Sequence, residues 1–194
     1  MQAYVERMNL VQPYINAVVQ HRGDEAIEEA KQYDKKIQHE LAGNPPIDGI
    51  SVLSLPLLGV PFTVKDSISI KGLSLTAGLY ARKGVVAEED AAVVLNLRKA
   101  GAIPIAVTNV PEFLLWWDSC NNIYGRTNNP YDKSRIAGGS SGGEAALIAA
   151  AGTVCGMGTD IGGSIRIPAF CCGVFGHKPT PFIIPINGMD FHEF

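Results

Sequence analysis

Two serine clusters and one lysine are the residues of this sequence whose types could support acyl-transfer chemistry. The first cluster, residues 138–144, reads Gly-Gly-Ser-Ser-Gly-Gly-Glu, and the second, residues 162–166, reads Gly-Gly-Ser-Ile-Arg. Lys65 lies upstream of both, at the end of an apolar run. A serine hydroxyl is a weak nucleophile at neutral pH, so it needs a base and hydrogen-bond donors for the oxyanion that its attack creates. Together the three segments indicate a serine hydrolase that uses lysine in place of histidine.

The two serines of the first cluster are expected to have different roles. Ser141 and Glu144 have the spacing of a capping box, in which the serine accepts a hydrogen bond from the N3 amide and the glutamate reaches back. Ser140 precedes this cap, so its hydroxyl is left for chemistry on a loop whose glycines admit a ligand. A loop that only caps a helix is the alternative. A phosphate cradle is disfavoured, because no Lys-Ser or Lys-Thr follows the glycines in the spacing of a P-loop.

The second cluster follows a strand end and could form an oxyanion hole. Consecutive amides in a turn can point into one concavity, and here they would belong to Ile161, Gly162, Gly163 and Ser164. Ser164 is then the expected nucleophile, and the loss of one such donor typically raises a barrier by about 3 kcal/mol. An ordinary glycine turn is the alternative.

Lys65 follows eight mostly apolar residues, which indicates burial. Burial lowers the pKa of a lysine because the charged form loses its hydration, and a neutral lysine is a usable base. The alternative is a lysine that reaches solvent or pairs with Asp66 or Asp160.

A Ser-His-Asp triad is a further alternative, because residues 139–143 also match the Gly-x-Ser-x-Gly elbow, and His177 or His192 could act as the base. An elbow requires a hydrophobic strand directly before it, whereas residues 128–135 have the composition of a loop. The context therefore favours Lys65.

Composition excludes several classes of function. With 194 residues and 46% hydrophobic side chains the chain is long enough for one packed domain, and a net charge of −3 lacks the basic surplus of a nucleic-acid binder. Its four cysteines have no metal-site spacing and favour a reducing compartment. The sequence contains neither a signal peptide nor about 18 consecutive apolar residues, so we expect an intracellular protein, cytoplasmic or membrane-associated.

The hydrophobic pattern predicts alternating helices and strands. Pro13 should divide residues 4–19 into two short helices, and residues 44–49 form a linker. The strands at 57–64 and 103–108, which precede and follow the helix at 88–100, should pair in parallel. Residues 111–139 should form a long ordered loop. The predicted helices are 24–41, 88–100 and 142–151, and the predicted strands are 57–64, 103–108 and 153–158.

Three motifs together resemble the amidase signature family: residues 59–66, which contain Lys65, the glycine–serine cluster at 138–143, and residues 158–168. They agree with the family in order and spacing. Within the family, residues 122–132 and 175–180 are similar to the fatty-acid amide hydrolases of type 2. The resemblance extends to about Pro181.

The resemblance implies a triad of serine, cis-serine and lysine, with Ser164 as nucleophile, Ser140 as bridging serine and Lys65 as base. It implies an α/β fold, a mixed β-sheet surrounded by helices and incomplete at the C-terminus. The implied reaction is hydrolysis of amides, in particular fatty-acid amides, through an acyl-enzyme without metal or cofactor. The other site positions implied by the family are the oxyanion amides of Ile161, Gly162, Gly163 and Ser164 and the supporting residues Ser141, Asp160 and Arg166.

The resemblance also sets the expected domain organisation and its alternatives. We expect the N-terminal part of a single amidase signature domain, with a helical lead-in at 1–43, a catalytic core at 50–181 and a divergent tail at 182–194, where a further strand should begin. Because family members are usually much longer, a truncated and inactive form that acts only through association is one alternative. A protein similar to the glutaminase component of glutamine amidotransferases is another. The expected partner is a small, lipid-like amide, and both peripheral membrane contact and homo-oligomer formation stay open.

Overall fold

The structure is a computed structural model that describes residues 1–189. A four-stranded mixed sheet lies at the centre of this part of the chain. The strand order is β1-β3-β2-β6, in which β2 pairs in parallel with both β3 and β6, and β1 pairs antiparallel with β3. A separate two-stranded hairpin joins β4 and β5. The strands are β1 (Val18–His21), β2 (Pro61–Lys65), β3 (Ile103–Thr108), β4 (Cys120–Asn121), β5 (Gly125–Arg126) and β6 (Cys155–Met157).

Five helices of the described chain surround this sheet, which confirms the predicted α/β fold class with a mixed sheet. Three short 3₁₀ segments, Val52–Ser54, Tyr80–Arg82 and Glu112–Leu114, lie in the connections. The helices are α1 (Gln2–Ile15), α2 (Gly23–Leu41), α3 (Ala92–Lys99), α4 (Gly142–Ala149) and α5 (Arg166–Cys172).

The central strands β2 and β3 are buried along their whole length, as is typical of parallel strands in a sheet covered on both faces. Successive side chains of a strand point to opposite faces. Phe62 and Val64 pack into the apolar core beneath α3, whereas Thr63 bonds to a side chain of α4 on the other face. Lys65 therefore projects, like Thr63, toward α4.

The predicted parallel unit of strand, helix and strand is present, and β3 has its predicted bounds. β2 starts later than predicted, because residues 57–60 form a turn held by the amides of Leu57 and Gly59, which donate to Ala100 and Gly101 at 2.9 Å.

The prediction of two helices within residues 4–19 is wrong. α1 is one helix that contains Pro13, and the chain then enters β1. Pro13 lies near the end of the helix, where little of the helix remains to be disrupted. The Gln12 side chain joins the two elements, because its Oε1 accepts from the amides of Ala17 and Val18 and its Nε2 donates to the Val18 carbonyl at 2.8 Å.

Residues 111–139 form a largely irregular but well-bonded segment, as predicted. A buried amide network fixes it to the end of β3, because Asn121 Nδ2 donates to Asn109 Oδ1 at 2.7 Å and Asn109 Nδ2 donates to Thr127 Oγ1 at 3.1 Å. These contacts place the segment beside the carboxyl end of the sheet.

Two further parts of the chain differ from prediction. α5 was not predicted, and its Pro168 lies in the first helical turn, where a missing amide hydrogen costs no intrahelical bond. No strand follows within the described residues 182–189, where turns lead to a single bridge between Met189 and Ile68. The rest of the tail, with His192, lies outside the described residues. Within residues 1–189, no helix has the length and apolar character needed to cross a membrane.

Candidate active site

Lys65 ends β2 at the centre of the sheet, with none of its surface exposed. Its Nζ donates to Ser140 Oγ at 2.6 Å and to Thr159 Oγ1 at 2.8 Å. Burial lowers the pKa of Lys65 from 10.5 to about 7, although the negative charges of Asp160 and Glu144 oppose this shift. The side chain is therefore a buried amine that can exchange a proton with a serine near neutral pH.

Ser140 lies in a closely packed turn before α4. The peptide bond between Gly139 and Ser140 is cis. Ser119 Oγ holds this turn from both sides, because it donates to the Gly138 carbonyl at 3.0 Å and accepts from the Gly142 amide at 2.9 Å. The turn has room only for glycine at position 138, where φ is +85° and a Cβ would lie 2.6 Å from Pro168 Cα. The Ser140 hydroxyl is thus held toward Lys65.

The predicted capping box at Ser141 is wrong. Ser141 occupies the N-cap position of α4, but its side chain makes no capping hydrogen bond, and within residues 1–189 its hydroxyl has no hydrogen-bond partner. Glu144 does not reach back to it, since both of its oxygens accept from threonines of the sheet. Ser119 supplies the cap that Ser141 was expected to supply, because tertiary contacts outweigh the local motif here.

The loop that carries Ser164 is organised around the carboxylate of Asp160. Its oxygens accept from the amides of Gly163, Ile165 and Arg166 at 2.7, 3.1 and 3.2 Å, and two nitrogens of the Arg166 guanidinium donate to them at 2.9 Å. Burial alone raises the pKa of Asp160, but these hydrogen bonds outweigh it and hold the pKa well below its usual range. Asp160 is therefore a permanent anion that fixes the backbone on both sides of Ser164.

A backbone hydrogen bond joins the two serine loops. The Ser141 amide donates to the Ser164 carbonyl at 3.1 Å, which brings Ser164 beside the residue that follows Ser140. Since Ser140 in turn accepts from Lys65, the structure brings all three predicted catalytic residues into one cluster. Lys65 and Ser140 are buried, whereas Ser164 is partly exposed and Ile161 in the same loop is 81% exposed, so within the described residues a ligand can reach the cluster only from the Ser164 loop.

The four amides predicted to form an oxyanion hole differ in their contacts. The Gly163 amide donates a hydrogen bond to Asp160 Oδ1 at 2.7 Å, so it is not free to bind an oxyanion in this conformation. Among the described residues, no acceptor takes the amides of Ile161, Gly162 or Ser164. These three groups are the donors that the loop leaves available.

Three residues of the cluster were not predicted as parts of the site. Thr159 accepts the second hydrogen bond of Lys65, Ser119 holds the Ser140 turn, and Glu144 lies on the Lys65 face of the sheet. Thr159 directly precedes Asp160 and could have been found by proximity in sequence. Ser119 could not, because it lies in an irregular segment with no periodic signal.

The histidine alternative has little support in the described structure. His177 is exposed, and its ring makes no hydrogen bond to Ser140 or Ser164 there. The residues before Ser140 form bends and turns rather than the strand that a nucleophile elbow needs.

Comparison with known proteins identifies the family. The family model described as Amidase matches residues 1–193. The chain belongs to the amidase signature family. Among curated relatives, fatty-acid amide hydrolase 2 of Homo sapiens is 46% identical over 188 residues, which is 97% of this chain and 35% of that protein. A glutamyl-tRNA(Gln) amidotransferase component of Treponema pallidum is 49% identical over 133 residues, or 69% of this chain and 26% of that protein.

Solved structures of amidase signature proteins match the fold. The peptide amidase of Stenotrophomonas maltophilia superposes with a TM-score of 0.83 at 31% identity, covering 97% of this chain and 38% of that one. A fatty acid amide hydrolase superposes with a TM-score of 0.82 at 29% identity, covering 96% of this chain and 31% of that one. The chain spans about a third of the length of the curated relatives it matches.

Proposed function

We propose that this chain carries the catalytic residues of a serine amidase, with Ser164 as nucleophile, Ser140 as proton relay and Lys65 as base. The observation that carries this proposal is the 2.6 Å hydrogen bond from Lys65 Nζ to Ser140 Oγ at a fully buried lysine. Burial of a lysine lowers the stability of the fold, so a fully buried lysine favours a functional role. Perturbed pKa values also concentrate at functional sites.

The first half of the reaction forms an acyl-enzyme. Neutral Lys65 takes the hydroxyl proton of Ser140 while Ser140 takes that of Ser164, and the Ser164 oxygen bonds to the carbonyl carbon of the amide. The carbonyl π electrons move to its oxygen, and the free amides of Ile161, Gly162 and Ser164 are the donors proposed to stabilise that charge. The proton then returns from Lys65 through Ser140 to the amine, and the C–N bond breaks.

The second half releases the acid. Water enters where the amine has left, and the same relay removes one of its protons as its oxygen attacks the ester carbon. The bond to Ser164 Oγ breaks, and Ser164 recovers its proton from Ser140. Each proton transfer is reversed within the cycle, so Lys65 ends neutral as it began.

We infer that the substrate is a fatty-acid amide. The similarity to fatty-acid amide hydrolase 2 extends over 97% of this chain, whereas that to the amidotransferase component extends over 69%. Exposed apolar side chains near the Ser164 loop support a substrate with an apolar acyl part, since Ile161 is 81% and Phe170 is 89% exposed.

Labelling with a fluorophosphonate tests the catalytic assignment, because the reagent reacts covalently with activated serines. We expect labelling of the wild type, no labelling of Ser164→Ala, and labelling at least about 100-fold slower in Ser140→Ala and Lys65→Ala. Ser134→Ala is the matched control, since Ser134 lies in an exposed loop and should not matter.

Two results would contradict the assignment. Unchanged labelling of Ser164→Ala removes Ser164 as nucleophile. Labelling that survives Lys65→Ala but is lost in Ser140→Ala and His177→Ala would instead support a Ser-His-Asp hydrolase.

The substrate class requires a separate measurement on folded protein that has not been treated with the fluorophosphonate. We expect oleamide to be hydrolysed, with release of ammonia, and glutamine to be left intact. Release of ammonia from glutamine alone would replace the fatty-acid amide proposal with a glutaminase, while leaving the catalytic residues as assigned.

A further inference from the structure

Glu144 is a buried carboxyl group that the mechanism above does not use. Its Oε2 accepts from Thr63 Oγ1 and its Oε1 from Thr108 Oγ1, both at 2.6 Å, and all three side chains are buried. A buried carboxyl with a hydroxyl on each oxygen is an arrangement that stabilises the ionised form. The two hydroxyls therefore offset part of the cost that burial imposes on a negative charge at this position.

Three neighbouring strands shape this position. Thr108 belongs to β3, Thr63 to β2, and the third contact is Gly156 in β6. A Cβ at position 156 would overlap Glu144 Oε2, so the absence of a side chain there leaves the space that the carboxyl fills. The carboxyl thus lies over the middle of the sheet.

Lys65 lies on the same face of the same strand as Thr63. Residues two apart in a strand point to one side, so the hydroxyl that holds Glu144 and the proposed base are neighbours. The charged groups that act on Lys65 are Glu144 and Asp160, and burial together with the charge of Glu144 raises the pKa of the Cys155 thiol in β6.

The two acids near Lys65 differ in their partners. Asp160 forms an ion pair with Arg166, and its negative charge nevertheless raises the pKa of Lys65. Within the described residues no cation forms an ion pair with Glu144, and Lys65 is the cation whose charge lowers the pKa of Glu144 from a greater distance. The charge of Glu144 is therefore available to Lys65.

We propose that Glu144 is a positioning residue for the amide hydrolysis proposed above, and this inference rests on that function. Its carboxylate, held by Thr63 and Thr108, is the counter-charge that stabilises the Lys65 ammonium formed during attack. In that step the O–H bond of Ser140 breaks, an N–H bond forms at Lys65 Nζ, and the Ser164 proton replaces the one that Ser140 lost.

Glu144 and Lys65 each shift the pKa of the other. Burial raises the pKa of Glu144 to about 7, against the lowering effects of the Thr108 and Thr63 hydrogen bonds and of Lys65. In return, the negative charge of Glu144 raises the pKa of Lys65. Removing that charge must then make Lys65 a weaker base.

The test is a direct titration of Lys65 by NMR, with lysine labelled at ¹³Cε and ¹⁵Nζ and the signal assigned by its loss in Lys65→Met. Wild-type chain, Glu144→Gln and Glu29→Gln are compared. Glu29 is the matched control, because it is a partly buried carboxyl that pairs with Arg22 and Arg98 away from the site. We expect the Lys65 midpoint to fall by about one pH unit in Glu144→Gln and to stay unchanged in Glu29→Gln.

Kinetics on the same proteins supply the second readout. In Glu144→Gln the acid limb of kcat for oleamide should move to lower pH with the Lys65 midpoint, and plateau kcat should fall about tenfold with KM unchanged. A residue needed only for folding would lower the yield of active protein without moving the limb.

Thr108→Val covers the case in which Glu144→Gln does not fold. It removes one hydroxyl from the carboxylate, so the charge of Glu144 is less stable and the Lys65 midpoint should fall by a smaller amount. An unchanged Lys65 midpoint in the variants that fold overturns the proposal.

The titration does not depend on turnover, which separates this inference from the proposed function. Turnover by the wild type with an unshifted Lys65 midpoint in Glu144→Gln removes Glu144 from the mechanism and leaves the amidase proposal intact. A shifted midpoint in a chain that never turns over an amide removes the catalytic role together with the proposed function.

Discussion

Replacement of Lys65 by methionine should stabilise the fold at neutral pH while removing the proposed base. Methionine has a similar length and no charge, so it can fill the buried site at the end of β2. This stabilisation should become smaller as the pH rises from 7 toward 10.5, because the proton that Lys65 loses on folding is less costly to remove at higher pH. This dependence distinguishes the buried lysine from an effect of packing, which is independent of pH.

The magnitude follows from the pKa of Lys65 in the folded and unfolded chain. In the folded protein it is lowered from 10.5 to about 7, so between these values the unfolded chain binds more protons. The free energy of unfolding of the wild type therefore rises with pH in this window. Because folding favours the neutral form of Lys65, this residue lowers the free energy of unfolding by about 4 kcal/mol at pH 7 and by about 2 kcal/mol at pH 9.

Urea unfolding at pH 7, 8 and 9 measures this difference. We expect the advantage of Lys65→Met over the wild type to shrink by about 2 kcal/mol between pH 7 and pH 9. Lys99→Met is the control, because Lys99 is exposed at the end of α3 and its loss should give no such trend. A difference between Lys65→Met and wild type that is constant from pH 7 to pH 9 would refute the buried, neutral lysine.

Three further outcomes are expected. The rate of oleamide hydrolysis should rise with pH through about 7 and then level off, since Lys65 acts as a base only when neutral, and a pH–rate profile checks this. Ser119→Ala should lower the free energy of unfolding by about 1–2 kcal/mol in urea titrations, because the Gly142 amide loses its acceptor, and should slow fluorophosphonate labelling. Gly138→Ala should lower the melting temperature measured by circular dichroism by several degrees, because a Cβ there meets Pro168 at a positive φ; an unchanged value would contradict the close packing of this turn.

Strands in the sheet centre were predictable because their signal is strong and local. Residues 103–108 form an apolar, β-branched run between turn residues, and this run folds as β3 with the predicted bounds. The start of β2 was placed too early, since the apolar residues 57–60 look like strand but are held in a turn at Gly59 by contacts with residues 100–101. Apolar composition predicts burial better than it predicts conformation.

Local motifs failed where tertiary contacts compete for the same side chain. The spacing of Ser141 and Glu144 is that of a capping box, and nothing nearby in sequence argues against it. In the fold, Thr63 and Thr108 bind the carboxyl and Ser119 binds the first amide of α4. These partners lie far from Glu144 in the sequence, so their effect appears only when the sheet is assembled.

The site combines two loops whose negative charges have different functions in our proposal. Asp160 is bound by Arg166 and by three backbone amides, so it fixes the shape of the Ser164 loop and stays ionised near neutral pH, and its charge also raises the pKa of Lys65. Glu144 is bound by two neutral hydroxyls, so its charge remains to act on Lys65. Without these two negative charges the pKa of Lys65 would fall further, and its conjugate acid would be harder to form during attack. In our proposal the two acids together therefore allow one buried amine to accept a proton and return it.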